Sequence, residues 1–194
     1  MIDKNDLKFG LFTDKKLIGK RLKMSLSNDR TYELWHDFMP RRNEITNKKN
    51  SDLICMQVYD PTLDFNDFSP ETEFEKWAAI EVSDFDAVPE GMETYTIKAG
   101  LFVLFTFKGT QLEFSDLYRY IITKWLPTTE FKLDQREHFQ ILGEKYKNND
   151  PNSEEKVFIP LWVHGDTTLD DLLGMCFNKK TMDNLILTAN LYHL

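Results

Sequence analysis

Two short stretches carry the residues best suited to chemistry. In WAAIEV, residues 77–82, strand alternation puts Trp77, Ala79 and Glu81 on one face. A carboxylate beside an indole and small alanines can act as the counter-charge of a cation or as a general base. On a solvent-facing strand it would do neither. In SEEKVFIPL, residues 153–161, Glu155, Val157 and Ile159 share one face, and Lys156, Phe158 and Pro160 the other. Lys156 then reads in two ways. It is a ligand-facing ammonium that pairs with an anion or with Glu81, or a strand-end lysine that snorkels to water. Tyr59, Trp77, Trp125 and Phe158 are the aromatics expected to line a binding surface, and each alone also suits a core. The chain holds 15 Phe, 7 Tyr and 4 Trp, more aromatic surface than a small core requires.

Other chemistries find no support. His36, His138, His164 and His193 show no metal-ligand spacing, so no metal is expected. There is no GxSxG, GxGxxG or phosphate-loop motif, and no cofactor is expected. The acidic run DFDAVPE, residues 84–90, reads as a solvated loop. The net charge of −8 and the scatter of basic residues among acids argue against direct nucleic-acid binding. Cys55 and Cys176 form no CxxC and suit a reducing compartment. No apolar run is long enough to span a membrane, and the start lacks the apolar core of a signal peptide. These features together predict a cytoplasmic protein without a membrane partner.

The positioning elements follow from periodicity. Residues 12–26 read as a strand bulged at Gly19. A helix is expected over about 29–39, with Ser27, Asn28 and Asp29 as cap candidates, Pro40 as its stop and a further turn through Ile45. Strands follow at 53–59 and 75–82, antiparallel to each other. A long strand with Gly100 at its middle is expected over 93–107. A helix capped by Ser115 runs over 115–126 to Pro127, and strands 137–143 and 155–162 are expected to pair. Strand–helix–strand–strand therefore occurs twice, with FMP at 38–40 and WLP at 125–127 ending the helices. The fold class is α+β, with antiparallel sheet and helices on one face. The cleft between the halves is the natural binding place. Residues 163–194 read as a helical extension with an apolar face, which covers the domain's own core or mediates a homodimer or protein partner.

The stretch EVSDFDAVPEGMETYTIKAG, residues 81–100, followed by an apolar strand and KG, resembles the GyrI-like family, also called the AraC-type effector-binding domain. LWHDFMPR at 34–41 and HFQILGEKYKNNDPNSEEKVFIPL at 138–161 are similar to it as well. The resemblance implies one domain over 1–162, with pseudo-twofold repeats at about 10–85 and 92–162. It implies a groove between the halves for a drug-like aromatic ligand. The chain is expected to be a stand-alone member, linked to transcription regulation or multidrug sensing. The family's last strand carries an acid four places before the proline; here that place holds Lys156, which bears against a cation there. Two alternatives accompany this reading. One is hydrolysis of cyclopropane-bearing natural products, in which Glu81 or Glu155 activates water and Tyr59 or Lys156 stabilises the leaving oxygen. The other is a macromolecular inhibitor or interaction protein. No catalytic residue is assigned.

Overall fold

A computed structural model describes residues 7–129, 131–148 and 150–162. The proposed helical extension at 163–194 lies outside the described residues. The strands are β1 (Lys8–Phe12), β2 (Lys15–Met24), β3 (Lys48–Val58), β4 (Phe74–Val82), β5 (Glu93–Ile97), β6 (Gly100–Lys108), β7 (Lys132–Leu133), β8 (His138–Leu142) and β9 (Glu154–Trp162). Helix α1 (Thr31–Phe38) lies between β2 and β3, and α2 (Gln111–Tyr120) follows β6. The class is α+β, and the order strand–helix–strand–strand recurs as β2–α1–β3–β4 and, with the two-residue β7 interposed, as β6–α2–β8–β9.

The chain forms two compact units that cut across the sequence halves. One contains residues 13–99 and 135–146. Its strands pair antiparallel in the order β8–β3–β4–β2–β5. Helix α1 covers one face of this sheet. Leu34 and Phe38, one turn apart, pack there against Ile18, Met24, Phe74, Ala78, Ile80 and Val82. Fully burying a side chain such as Phe38 stabilises by about 1.5–3 kcal/mol. The helix starts where Asp29 accepts the Thr31 amide at 2.8 Å. It tightens into a 3₁₀ turn, Met39–Glu44, at Pro40.

The other unit contains residues 7–12, 100–134 and 147–162 of the described chain. Here β6 pairs with both β1 and β9, and β7 pairs with the end of β9. Phe114 of α2 and Ile121 just beyond it cover Leu101, Val103, Phe105, Val157, Ile159 and Leu161.

Three local expectations are corrected. Gly19 is not a bulge: β2 runs in unbroken register with β4 through it, and the β2–β5 ladder ends in register at it. A Cβ at Gly19 would fall on the Ala78 carbonyl and within 2.6 Å of Ala79 Cβ, so glycine serves close approach of two strands. The long strand at 93–107 is two strands. The backbone between them is held by side chains instead of a ladder: Asp14 accepts the Ala99 amide at 2.8 Å, and Arg136 donates to the Lys98 and Ala99 carbonyls at 3.3 Å each. The second helix begins earlier than its apolar pattern implies. Thr110 and Glu113 form a reciprocal capping box, while Ser115 lies within the helix and donates to the Gln111 carbonyl.

Candidate ligand-binding face

The sheet of the α1 unit has a second face, opposite the helix, built by period-two alternation. From β4 it receives Glu75, Trp77, Ala79 and Glu81. Cross-strand register adds Arg21 and Met56 beside Trp77, Gly19 and Ile54 beside Ala79, and Leu17 beside Glu81. Phe139 and Ile141 extend these rows on β8, and Tyr95 lies beside Leu17 on β5.

This face is concave. Tyr95 on β5 donates its hydroxyl to Glu137, the residue before β8, at 2.6 Å. Those strands stand four spacings apart in the ladder, roughly 19 Å if the sheet were flat at about 4.8 Å per step. Two side chains do not bridge that distance, so the sheet curls toward them. Trp77, at the middle of the curl, is 2% exposed.

The groups around Trp77 are polar and charged. Tyr95 packs edge-on to its indole at 5.2 Å. The Arg21 guanidinium lies 5.6 Å from the ring centroid and is held by Glu75 and Glu93 at 2.8 and 3.0 Å. Two buried polar atoms here have no hydrogen-bond partner: Trp77 Nε1 and Glu137 Oε2. A buried, unmatched carboxylate oxygen is costly. The second oxygen of the carboxylate that Tyr95 holds is an acceptor for a cationic or N–H group. Burial and the adjacent Glu137 carboxylate raise the Tyr95 phenol above its ordinary range, so it stays a neutral donor.

At the other end of the face Glu81, 7% exposed, is held by Lys15 at 2.8 Å and Lys49 at 3.2 Å. Its carboxylate is already matched, twice.

Of the six residues singled out from sequence, Trp77 and Glu81 share this face. Tyr59 belongs to the opposite side of the same sheet, packed by Phe65, Phe68, Phe74 and His138. Glu81 and Tyr59 therefore do not meet as a water activator and an oxygen stabiliser. Trp125, Lys156 and Phe158 belong to the other unit. Trp125 stacks on Phe9 at 6.0 Å against the core beneath α2. Phe158 is buried, edge-on to Phe12 at 5.0 Å. The two faces of β9 are as the alternation predicts, with Val157 and Ile159 under α2 and Lys156 exposed beside Thr106. Glu155 and Lys156, as neighbours on a regular strand, point to opposite faces. Sequence reasoning missed Tyr95, Arg21, Lys15, Lys49 and Glu137. Tyr95 stands in the alternating ETYTI. Glu137 directly precedes five buried residues, HFQIL, a place where an acid has little water to face.

A family model described as the GyrI-like small molecule binding domain matches residues 9–161. The chain belongs to the GyrI-like family. This GyrI-like chain is 27% identical over 150 residues to the transcriptional regulator BrlR of Pseudomonas aeruginosa, with 75% of this chain and 52% of BrlR covered. It thus spans about half the length of that relative. Its fold is that of SAV2435, solved bound to tetraphenylphosphonium, with TM-score 0.56, 10% identity and 90% and 98% of the two chains covered. It is also that of the EcmrR C-terminal domain, with TM-score 0.58, 13% identity and 81% and 98% covered. A hydrolase from Listeria innocua shares the fold as well, with TM-score 0.52, 10% identity and 82% and 93% covered. Among the described residues no helix is long and apolar enough to cross a membrane.

Proposed function

We propose that this chain is a receptor for small aromatic molecules bearing a positive charge, bound on the concave face around Trp77. The observation that carries the reading is the buried Glu137 Oε2, which lacks a partner while Oε1 takes the hydroxyl of Tyr95, the ring packed edge-on to Trp77. Three features support it. The Arg21 guanidinium lies 5.6 Å from the indole centroid, an arrangement that supports a planar cation there. The Arg21 side chain is 41% exposed, so the solvent side of this cluster is a long side chain that can move. The neighbouring side chains Leu17, Ile54, Met56 and Ala79 are apolar and buried. SAV2435, of the same fold, holds an aromatic cation, tetraphenylphosphonium.

Of the six expected contacts the proposal keeps Trp77 and Glu81. Burial of the aromatic body supplies most of the affinity, and Glu137 sets orientation through charge. Occupancy of this face is the signal in a multidrug-sensing or transcription-regulating role, in line with the regulator BrlR.

The test is calorimetric titration of the protein with tetraphenylphosphonium, repeated with Glu137→Gln, which keeps an acceptor for Tyr95. Loss of one charge-assisted contact weakens binding about tenfold. No binding by the wild type, or equal affinity in the variant, refutes the proposal.

A further inference from the structure

The place over the Trp77 indole is filled by a cation of the protein's own. Arg21 stands directly opposite Trp77 in the β2–β4 register, so the two side chains share a face. The guanidinium lies 5.6 Å from the ring centroid. Two carboxylates seat it there. Arg21 Nη1 donates to both oxygens of Glu75 at 2.9 and 2.8 Å. Its Nε and Nη2 meet Glu93 at 3.2 and 3.0 Å.

We infer that Arg21 is an internal stand-in for the ligand: it occupies the cation position over Trp77, competes with the ligand for it, and swings into water when the ligand binds. This rests on the ligand reading above and names the residue that sets its affinity and its charge preference.

The contrast between two layers is the reason. Trp77 and its neighbours Leu17, Met56 and Ala79 are buried. Arg21, Glu75 and Glu93 form the solvent side, and all three side chains are about half exposed. Ion pairs between such side chains are weak, because water screens them and holding two long chains in one geometry costs entropy. A cation–π contact at an exposed site adds a similarly small amount. The seated position is therefore preferred and still reversible. The room a ligand gains is the room that the guanidinium and the end of its stem vacate. A ligand that needs the seat empty binds more weakly by the fraction of time the seat is empty, and a seat filled nine-tenths of the time weakens it about tenfold.

The same arrangement selects for charge. When Arg21 leaves, Glu75 and Glu93 lose the cation that bridges them. An incoming cation takes over its part, while a neutral molecule of similar shape leaves both carboxylates unmatched.

Two probes and two variants test this. Tetraphenylphosphonium is the cation, and triphenylphosphine oxide is a neutral molecule with the same phenyl groups on phosphorus. Both are titrated calorimetrically into the whole chain, into Arg21→Ala and into Glu75→Gln, with unfolding curves confirming that each variant is folded. Arg21→Ala is expected to bind both probes about tenfold tighter than wild type. Glu75→Gln keeps Arg21 and loosens its seat, so the neutral probe is expected to tighten about two- to fivefold, the size of one exposed ion pair. The two variants change the charge of the site in opposite directions, so a shared gain for the neutral probe reports the emptied seat and not the field. A gain for the cation alone in Arg21→Ala means that Arg21 acts only through its charge, and overturns the inference. Weaker binding of both probes in Arg21→Ala makes Arg21 part of the ligand's own surface, and overturns it too. A neutral probe that does not tighten in Glu75→Gln overturns the seat formed by that carboxylate. If tetraphenylphosphonium binds the wild type through Glu137 and Arg21→Ala changes neither probe, only this inference fails. If neither probe binds any of the three proteins, the ligand reading fails with it.

Discussion

Tyr95 donates to Glu137 across a sheet in which β2, β4 and β3 stand between their strands. That single bond closes the curl over Trp77, and it leaves one Glu137 oxygen matched and the other not. Tyr95→Phe removes the donor and strands both oxygens. The cost is about 1–3 kcal/mol for a buried acceptor left without its partner. Adding Glu137→Leu to Tyr95→Phe removes the stranded charge and recovers part of the loss. Urea unfolding of the two single variants and the double variant measures this. Additive losses would show that the two residues do not act as a pair.

Gly19→Ala is expected to destabilise by about 1–3 kcal/mol, the usual range for forcing atoms into a packed site. The added Cβ meets the Ala78 backbone, which cannot move aside without breaking the β2–β4 ladder. An unfolding midpoint equal to wild type would mean that the strands separate at no cost.

The local parts of the structure were legible because each rests on a short-range rule. The alternation in WAAIEV put Trp77 and Glu81 on one face, and Pro40 marked where α1 stops being a regular helix. The class and the repeated element order followed from such patterns. What escaped was set by pairing between distant segments. Glu137 meets Tyr95 only because β8 joins β3 while β5 joins β2, and no local pattern in ETYTI or EHFQIL reports that. The division of 93–107 into two strands is of the same kind, since Asp14 and Arg136 hold the break from far away in sequence. Tyr59 stands apart from Trp77 for a simpler reason: its ring lies just past the end of β3, on the helix side. Thr110 was passed over because the apolar pattern of α2 begins one turn later than its cap.

His138 makes stability fall as pH drops. Burial, aided by the nearby Arg136 charge, lowers its pKa from 6.5 to about 3. Its ring is buried against Tyr59 and Phe65. Below about pH 6.5 the unfolded chain binds a proton there that the folded chain refuses, so stability is full above that pH and is lost progressively toward pH 3. The slope contributed is at most about 1.4 kcal/mol per pH unit. Carboxylates with lowered pKa, such as Asp14, Glu33 and Asp84, add their losses only near and below pH 4. The window from 6.5 to 4.5 therefore isolates the histidine. Denaturant unfolding across that window is expected to flatten in His138→Leu. An unchanged slope would place the proton uptake elsewhere.

The cap of α2 separates two readings of one sequence. If the apolar pattern alone set the helix start, Ser115 would be the cap and its loss would matter. The structure instead has Thr110 Oγ1 accepting the Glu113 amide at 3.4 Å, while the Thr110 amide and hydroxyl donate to Glu113 at 2.8 Å each. Ser115 donates to the Gln111 carbonyl, which already has a helical role. Thr110→Ala is thus expected to cost about 1 kcal/mol, the usual worth of an N-cap side chain. Ser115→Ala should change stability by less than about 0.5 kcal/mol, because alanine is the better residue within a helix and a back-bonding serine adds little. Glu113→Gln should keep most of the capping, since an amide oxygen still accepts from the Thr110 amide. Thermal unfolding of the three variants decides between the readings. A larger loss in Ser115→Ala than in Thr110→Ala would move the helix start back to 115 and leave Phe114, the residue that ties α2 to its sheet, outside the helix.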